Sequence, residues 1–233
     1  MIEITTLATG STGNCYHITD GHSSLLLECG IKFKSIQKEL NFQTSNIAGV
    51  LVSHEHKDHC KAVQDVADRG LDIYMSQGTA DAIGIQHHRI RPVTCKETFK
   101  VGTWTILPFD VQHDAAEPFG FLIANQEDDK LLFATDTYYI KYKFSNLTHL
   151  MIECNYSQKI LEENVESGRV PEFLMNRVMQ SHFSLENLLV FLKANDLSRV
   201  QEIHLLHLSD SNSNEIEFKK AVQAATGKLV YVA

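Results

Sequence analysis

The stretch Leu51–Val63 reads LVSHEHKDHCKAV, and three histidines and two acids stand between His54 and His59. Imidazole nitrogens and carboxylate oxygens are ligands for zinc and its first-row neighbours. His54 and His56 are two residues apart, which in an extended segment puts both rings on one face. Asp58 and His59 follow where the pattern turns helical, so their side chains can return toward the same point. The zinc-protease pattern HExxH fails, because it needs a histidine at position 58 and Asp58 stands there. The chemistry these residues offer is metal-assisted hydrolysis.

The surrounding elements must bring such a loop to a fixed place. Ile47–Val52 is a continuous apolar run, the mark of a buried strand, and it ends at the cluster. Asp58 is placed to cap a helix with Val63, Val66 and Ala67 on one face. Ile2–Leu7, Cys15–Ile18 and Ser24–Glu28 read as strands, Phe33–Leu40 as a helix, Ile73–Met75 as a strand and Gly78–Ile85 as a helix. Trp104–Phe109, Gly120–Asn125, Leu131–Thr135 and Leu150–Glu153 are strands, with a polar turn over Gln126–Lys130. The last third alternates helix Ser157–Asn164, helix Leu185–Ala194, strand Glu202–His207, helix Ser213–Ala225 and strand Lys228–Val232. No internal repeat or low-complexity linker interrupts this order. It predicts one α/β domain over residues 1–233, an αβ/βα four-layer sandwich of two mixed sheets with helices on both outer faces.

A chain of 233 residues, 43% of them hydrophobic, can bury a core without disulfides or structural metal. Any metal is then expected to serve chemistry. Five cysteines (Cys15, Cys29, Cys60, Cys95 and Cys154) are odd in number and form no CxxC pair, which suits a reducing, cytoplasmic setting. No basic segment followed by an apolar run opens the sequence, and no stretch approaches the ~18 apolar residues of a membrane span. No secretory leader and no membrane partner are expected. The net charge of −8 argues against a broad basic surface for nucleic acid, although bound divalent cations are not counted in that sum.

The run HEHKDH resembles the HxHxDH signature of the metallo-β-lactamase superfamily, and further positions match in order. His113 in DVQHDAAEPFGF stands where that superfamily has its third histidine, Asp136 in LLFATDTYY where it has a bridging acid, and His207 in IHLLHLSDSNSN where it has the last histidine. The resemblance implies two divalent ions, zinc or manganese with iron as a third option. One ion would take His54, His56 and His113, the other Asp58, His59 and His207, with Asp136 bridging. His204 competes with His207. The two are three apart on one strand and so face opposite sides, and the ending His207-Leu208-Ser209 matches the family's. GSTGNCYHI at Gly10–Ile18, LLLECG at Leu25–Gly30 and SHFSLEN at Ser181–Asn187 are similar to the small WalJ/YycJ-like bacterial and phage hydrolases. The chain departs from that branch at Glu28, usually aspartate, and at Ala62, usually glycine.

Two divalent ions roughly 3.5–4 Å apart share a hydroxide and stabilise both entering and leaving oxygens of an in-line displacement. Phosphodiesters, thioesters, esters and lactams are all within reach of that chemistry. The resemblance favours a phosphodiesterase or nuclease, acting on a nucleic-acid end or a small nucleotide-like molecule. The alternative is a glyoxalase- or lactamase-like hydrolase of a thioester, ester or lactam. Against it stand the acid at Asp136, often missing from antibiotic-hydrolysing relatives, and the short chain after His207. In tRNA-processing relatives a glutamate after a strand orients a histidine that aids phosphoryl cleavage, and Glu153 in LMIECNY and His182 in SHFSLEN match that pair. Such a pair fixes the ring tautomer and raises its pKa, which suits a general acid for a leaving alkoxide. Asp58, Glu153 and His182 are therefore the expected catalytic residues, with Ser11, Asn14, Asn155 and Ser184 as candidate polar lining.

Overall fold

A computed structural model describes residues 1–233. Its strands form two mixed sheets, and the chain divides into two compact units. One comprises Met1–Asp110 and Ala115–Asp129, the other Val111–Asp114 and Lys130–Ala233.

In the first unit β1 (Glu3–Ala8), β2 (Cys15–Thr19) and β3 (Ser24–Leu27) run antiparallel, and β4 (Ile47–Leu51), β5 (Ile73–Met75) and β6 (Ile90–Pro92) continue in parallel. The residues of β3 are all buried, as a strand covered on both faces requires. Leu27 pairs with Leu51, so β3 and β4 end side by side. That register delivers Glu28 and the Ser53-His54 loop to one sheet edge. Helices α1 (Phe33–Glu39), α2 (Lys57–Cys60), α3 (Val63–Asp68) and α4 (Gln77–Ile83) complete this part, with Phe33, Ile36, Val63 and Val66 packed against Leu26, Val50 and Ile73. An antiparallel ladder, β7 (Phe99–Val101), β8 (Trp104–Asp110) and β9 (Phe119–Ala124), also belongs to this unit.

The second unit is built on parallel strands β10 (Lys130–Ala134), β11 (His149–Glu153), β12 (Glu202–Leu206) and β13 (Leu229–Val232). Helices α5 (Gln158–Glu166), α6 (Glu172–Ser181) and α7 (Leu185–Ala194) connect β11 to β12, α8 (Glu215–Thr226) connects β12 to β13, and the β10–β11 connection has no helix. Because the strands are parallel, their carboxyl ends lie at one edge, the usual place for ligands in such sheets. Asp136, Glu153 and His207 all sit at those ends.

Most of the expected elements are present, with three additions and two corrections. The strands β6 and β7 and the helix α6 were not anticipated. Asp58 does not cap a helix. It lies in the first turn of α2, whose N-cap is His56, and a second helix starts afresh after Ala62. The break has a physical cause: the Ala62 N–H donates to the Cys29 carbonyl at 2.9 Å instead of continuing the helix. His207 stands one residue beyond its strand rather than within it.

No helix is long and apolar enough to cross a membrane. All five cysteines are free thiols, and only Cys95 is not buried. Burial pushes the thiols up, Cys60 to about 11 and Cys15, Cys29 and Cys154 well above their ordinary value. Ellman's reagent at neutral pH should therefore titrate one thiol in the native protein and all five in denaturant. Rapid native reaction of more than one would contradict the core packing.

Candidate active site

In the first unit the chain leaves β4 extended, and that brings His54, His56, Asp58 and His59 together. His54 Nε2 is 3.0 Å from His56 Nδ1, and the His54 and His59 rings are 4.2 Å apart. His59 Nε2 lies 3.3 Å from Asp58 Oδ2. Ser53 Oγ holds His54 Nδ1 at 2.9 Å, which leaves Nε2 as the ring's outward nitrogen. The extra methylene of Glu28 is accommodated: its buried carboxylate accepts the Ser53 N–H at 3.2 and 3.3 Å and faces His59 Nδ1 at 3.7 Å. Burial raises the Glu28 pKa, and His59 and Ser53 offset part of that rise.

Asn14 also holds this loop. Its side-chain nitrogen lies 3.1 Å from His59 Nε2, and its backbone N–H donates to the Asp58 carbonyl at 2.7 Å. Gly30 is required here, because a Cβ would fall 1.6 Å from the Asp58 carbonyl oxygen. The Gly10–Ile18 and Leu25–Gly30 motifs thus act as the cradle of the histidine loop.

In the second unit Asp136 and His207 follow the ends of β10 and β12 with left-handed backbones, φ 42° and 54°. Such conformations are uncommon outside glycine, though Asp, Asn and His adopt them more readily than other residues. Strain of this kind concentrates at functional positions. His207 Nδ1 lies 3.0 Å from Asp136 Oδ1, and His113 Nε2 lies 3.7 Å from Asp136 Oδ2. His113 Nδ1 donates to the Ser181 carbonyl at 2.9 Å, so the lone pair of Nε2 faces Asp136. Burial holds His113 below the usual histidine pKa, which favours the neutral ligand form. His204 points elsewhere, 3.1 Å from Glu202 Oε1 and stacked on Tyr231.

Glu153, fully buried at the end of β11, is the hub of this half. Its Oε1 lies 2.6 Å from His182 Nδ1 and 3.1 Å from His207 Nδ1, and its Oε2 accepts the Thr137 and Phe183 N–H groups, each at 3.0 Å. Burial alone would raise its pKa, but His182 and the other donors hold it below the usual carboxylate value. His182 moves the opposite way: burial lowers it, and Glu153 more than compensates. The ligand atoms of Asp136, Glu153, His182 and His207 lie within 4.8 Å of one another.

The donors are nitrogen and oxygen without thiolate, a set that fits zinc, manganese or iron. Charge points the same way. Burial works against protonated His207, yet Asp136 and Glu153 push its pKa up to about 10. Two buried carboxylates converging on one ring nitrogen, at 3.0 and 3.1 Å, favour a positive charge there, which a divalent cation would supply.

Of the candidate lining residues, Ser11 is exposed, and Asn14 is buried with its side chain against His59 and Asp58. Asn155 steadies His207 by donating to its carbonyl at 2.8 Å, and Ser184 caps α7 by accepting the Asn187 N–H. Reading the sequence missed Ser53, Thr137 and Ser181. Each sits beside a singled-out residue, and adjacency was the only available signal.

A family model described as a beta-lactamase superfamily domain matches residues 25–204. The chain is similar to exodeoxyribonuclease YycJ of Bacillus anthracis, at 28% identity over 92% of this chain and 86% of that protein. It is also similar to exodeoxyribonuclease WalJ of Streptococcus pneumoniae serotype 2 (strain D39), at 26% identity over 89% of this chain and 81% of that one. Among solved structures, the metallo-β-lactamase fold protein YhfI from Bacillus subtilis superimposes with a TM-score of 0.74 at 15% identity, over 100% of this chain and 97% of that one. The fold is thus the expected one, mixed α/β with two mixed sheets and helices.

Proposed function

The chain belongs to the beta-lactamase superfamily, and from that premise we propose a metal-dependent phosphodiesterase that removes nucleotides from nucleic-acid ends. Residues 1–233 would work as one catalytic domain in the cytoplasm, where the five free thiols stay reduced. His54, His56 and His113 would hold one divalent ion, and Asp58, His59 and His207 the other, with Asp136 shared between them. Bound ions of this kind polarise a phosphoryl oxygen and lower the pKa of water. The protein's own residues do the rest. His113 and His54 are held by Ser181 and Ser53 with one nitrogen outward, and Glu28 faces His59 Nδ1, which leaves Nε2 as the nitrogen for an ion. Glu153 orients His182, and the imidazolium gives its proton to the leaving sugar oxygen.

The observation that carries this reading is the 2.6 Å contact between His182 and a fully buried glutamate. Hydrolysis of a thioester has less need of such an acid, because a thiolate departs without a proton and a sugar alkoxide does not. The named activity of the YycJ and WalJ relatives supports a DNA end as substrate.

The test compares bis-p-nitrophenyl phosphate, a thioester and a chromogenic cephalosporin on protein loaded with Mn²⁺ or Zn²⁺. Phosphodiester cleavage is expected to dominate. Faster turnover of the thioester or the cephalosporin would reverse the assignment.

A further inference from the structure

Beside the Glu153–His182 pair lies a cavity of about 300 Å³ that the chemistry described so far does not use. One wall is the segment Tyr138-Tyr139-Ile140-Lys141-Tyr142-Lys143, and the other is the start and outer face of α7 from Phe183 to Asn195. Both walls begin at the same carboxylate. Thr137, just before the first wall, and Phe183, which opens the second, each donate an N–H to Glu153 Oε2 at 3.0 Å. Whatever occupies the cavity is thus registered against His182. The Thr137 hydroxyl donates to the Tyr139 carbonyl at 2.9 Å, which fixes the turn that displays the tyrosines.

Composition and charge identify the occupant. Tyr138 and Tyr139 are 37% and 55% exposed, and the Lys141 ammonium stands 5.2 Å over the Tyr142 ring. Acidic residues outnumber basic ones 29 to 21 in this chain, yet no carboxylate lines the cavity and two lysines do. Phe183 and Phe191 close its floor with rings 6.2 Å apart. Exposed aromatic faces interleaved with cations are what an unpaired polynucleotide needs, bases on rings and phosphates on ammonium groups. A duplex hides its base faces and would leave the tyrosines unused.

We propose that this groove is the nucleotide-binding track of the enzyme, which takes a single-stranded nucleic-acid end by stacking bases on Tyr138 and Tyr139 and pairing phosphates with Lys141 and Lys143. The proposal rests on the phosphodiesterase reading for what happens to the strand, though not for its binding.

The experiment measures binding and cleavage separately, on metal-loaded protein. Fluorescence anisotropy with a nuclease-resistant phosphorothioate oligothymidylate reads binding, with an abasic strand, a duplex and an RNA strand as further arms. Tyr139→Ala should weaken oligothymidylate binding roughly 5- to 100-fold and abasic-strand binding far less, while Tyr139→Phe keeps the wild-type affinity. Lys141→Gln combined with Lys143→Gln should reduce the salt slope of binding by about 1.4, at about 0.7 per lost phosphate contact. Equal affinity of wild type and Tyr139→Ala, or equal wild-type affinity for abasic and base-bearing strands, overturns the proposal. A preference for duplex overturns it too. The RNA arm decides which sugar the track accepts. In cleavage, Tyr139→Ala should lose at least tenfold more kcat/KM on an ordinary oligonucleotide than on bis-p-nitrophenyl phosphate. Base-dependent binding without hydrolysis of any phosphodiester would sink the enzymatic reading and leave the track standing. Hydrolysis without base-dependent binding would do the reverse.

Discussion

Asp136→Ala should release at least one of two bound metal equivalents and lower phosphodiester turnover by about a thousandfold or more. The carboxylate is buried, with one oxygen 3.0 Å from His207 and the other 3.7 Å from His113, so both histidines lose their common partner at once. Ion-assisted stabilisation of the transition state is worth several kcal/mol, and about 4 kcal/mol is a factor of a thousand. Alanine at φ 42° also strains the backbone, which could lower stability for a separate reason. Asp136→Asn separates the two effects. Asparagine tolerates the left-handed conformation and keeps the shape and the Thr135 contact, but it removes the charge that holds a cation. The Asn variant should therefore melt near the wild type, with the metal still lost. Elemental analysis after exhaustive buffer exchange reads the outcome. Two equivalents retained in both variants would show that Asp136 bridges nothing.

The ligand candidates were legible because metal chemistry restricts residue type and spacing together. HEHKDH leaves little room for another reading, and His113, Asp136 and His207 follow in family order. Their supports were harder to read. Asn14 and Glu28 reach His59 across 45 and 31 residues of chain, and nothing in local periodicity announces such contacts. The helix α6 escaped notice for a different reason. Its Met175 and Val178 pack inward while Phe173, Leu174 and Met179 face outward, so apolar residues lie on both sides and blur the stripe. The strands β6 and β7 have three residues each and bury at most one of them, whereas the equally short β5 buries Ile73 and Met75. Tyr138–Lys143 lies between elements with no period at all, and its meaning comes only from the wall that α7 places opposite it.

His182→Ala should keep both metals and slow cleavage of an unactivated phosphodiester by roughly 10²–10⁴-fold, the usual contribution of a positioned general acid. The ring is poised for that role. Its Nδ1 is 2.6 Å from Glu153, its side chain is 21% exposed where Glu153 is fully buried, and the carboxylate favours the protonated form. Glu153→Gln should cost less if the acid only orients the ring and supports its charge. It will not be harmless, because Oε1 also faces His207 and Oε2 anchors Thr137 and Phe183. The double variant should be little worse than His182→Ala, since residues acting as a unit are not additive. The decisive comparison is the leaving group. A nitrophenolate departs without a proton, so the His182→Ala loss should shrink on bis-p-nitrophenyl phosphate relative to a dinucleotide. Equal losses on the two substrates would exclude the acid role. Loss of an ion in His182→Ala would instead make it a ligand, an outcome the geometry allows because its nitrogen lies within 4.8 Å of ligand atoms of Asp136 and His207. In that case His207 would be the residue released to serve as the acid, and the leaving-group comparison repeated on a His207 variant would identify it.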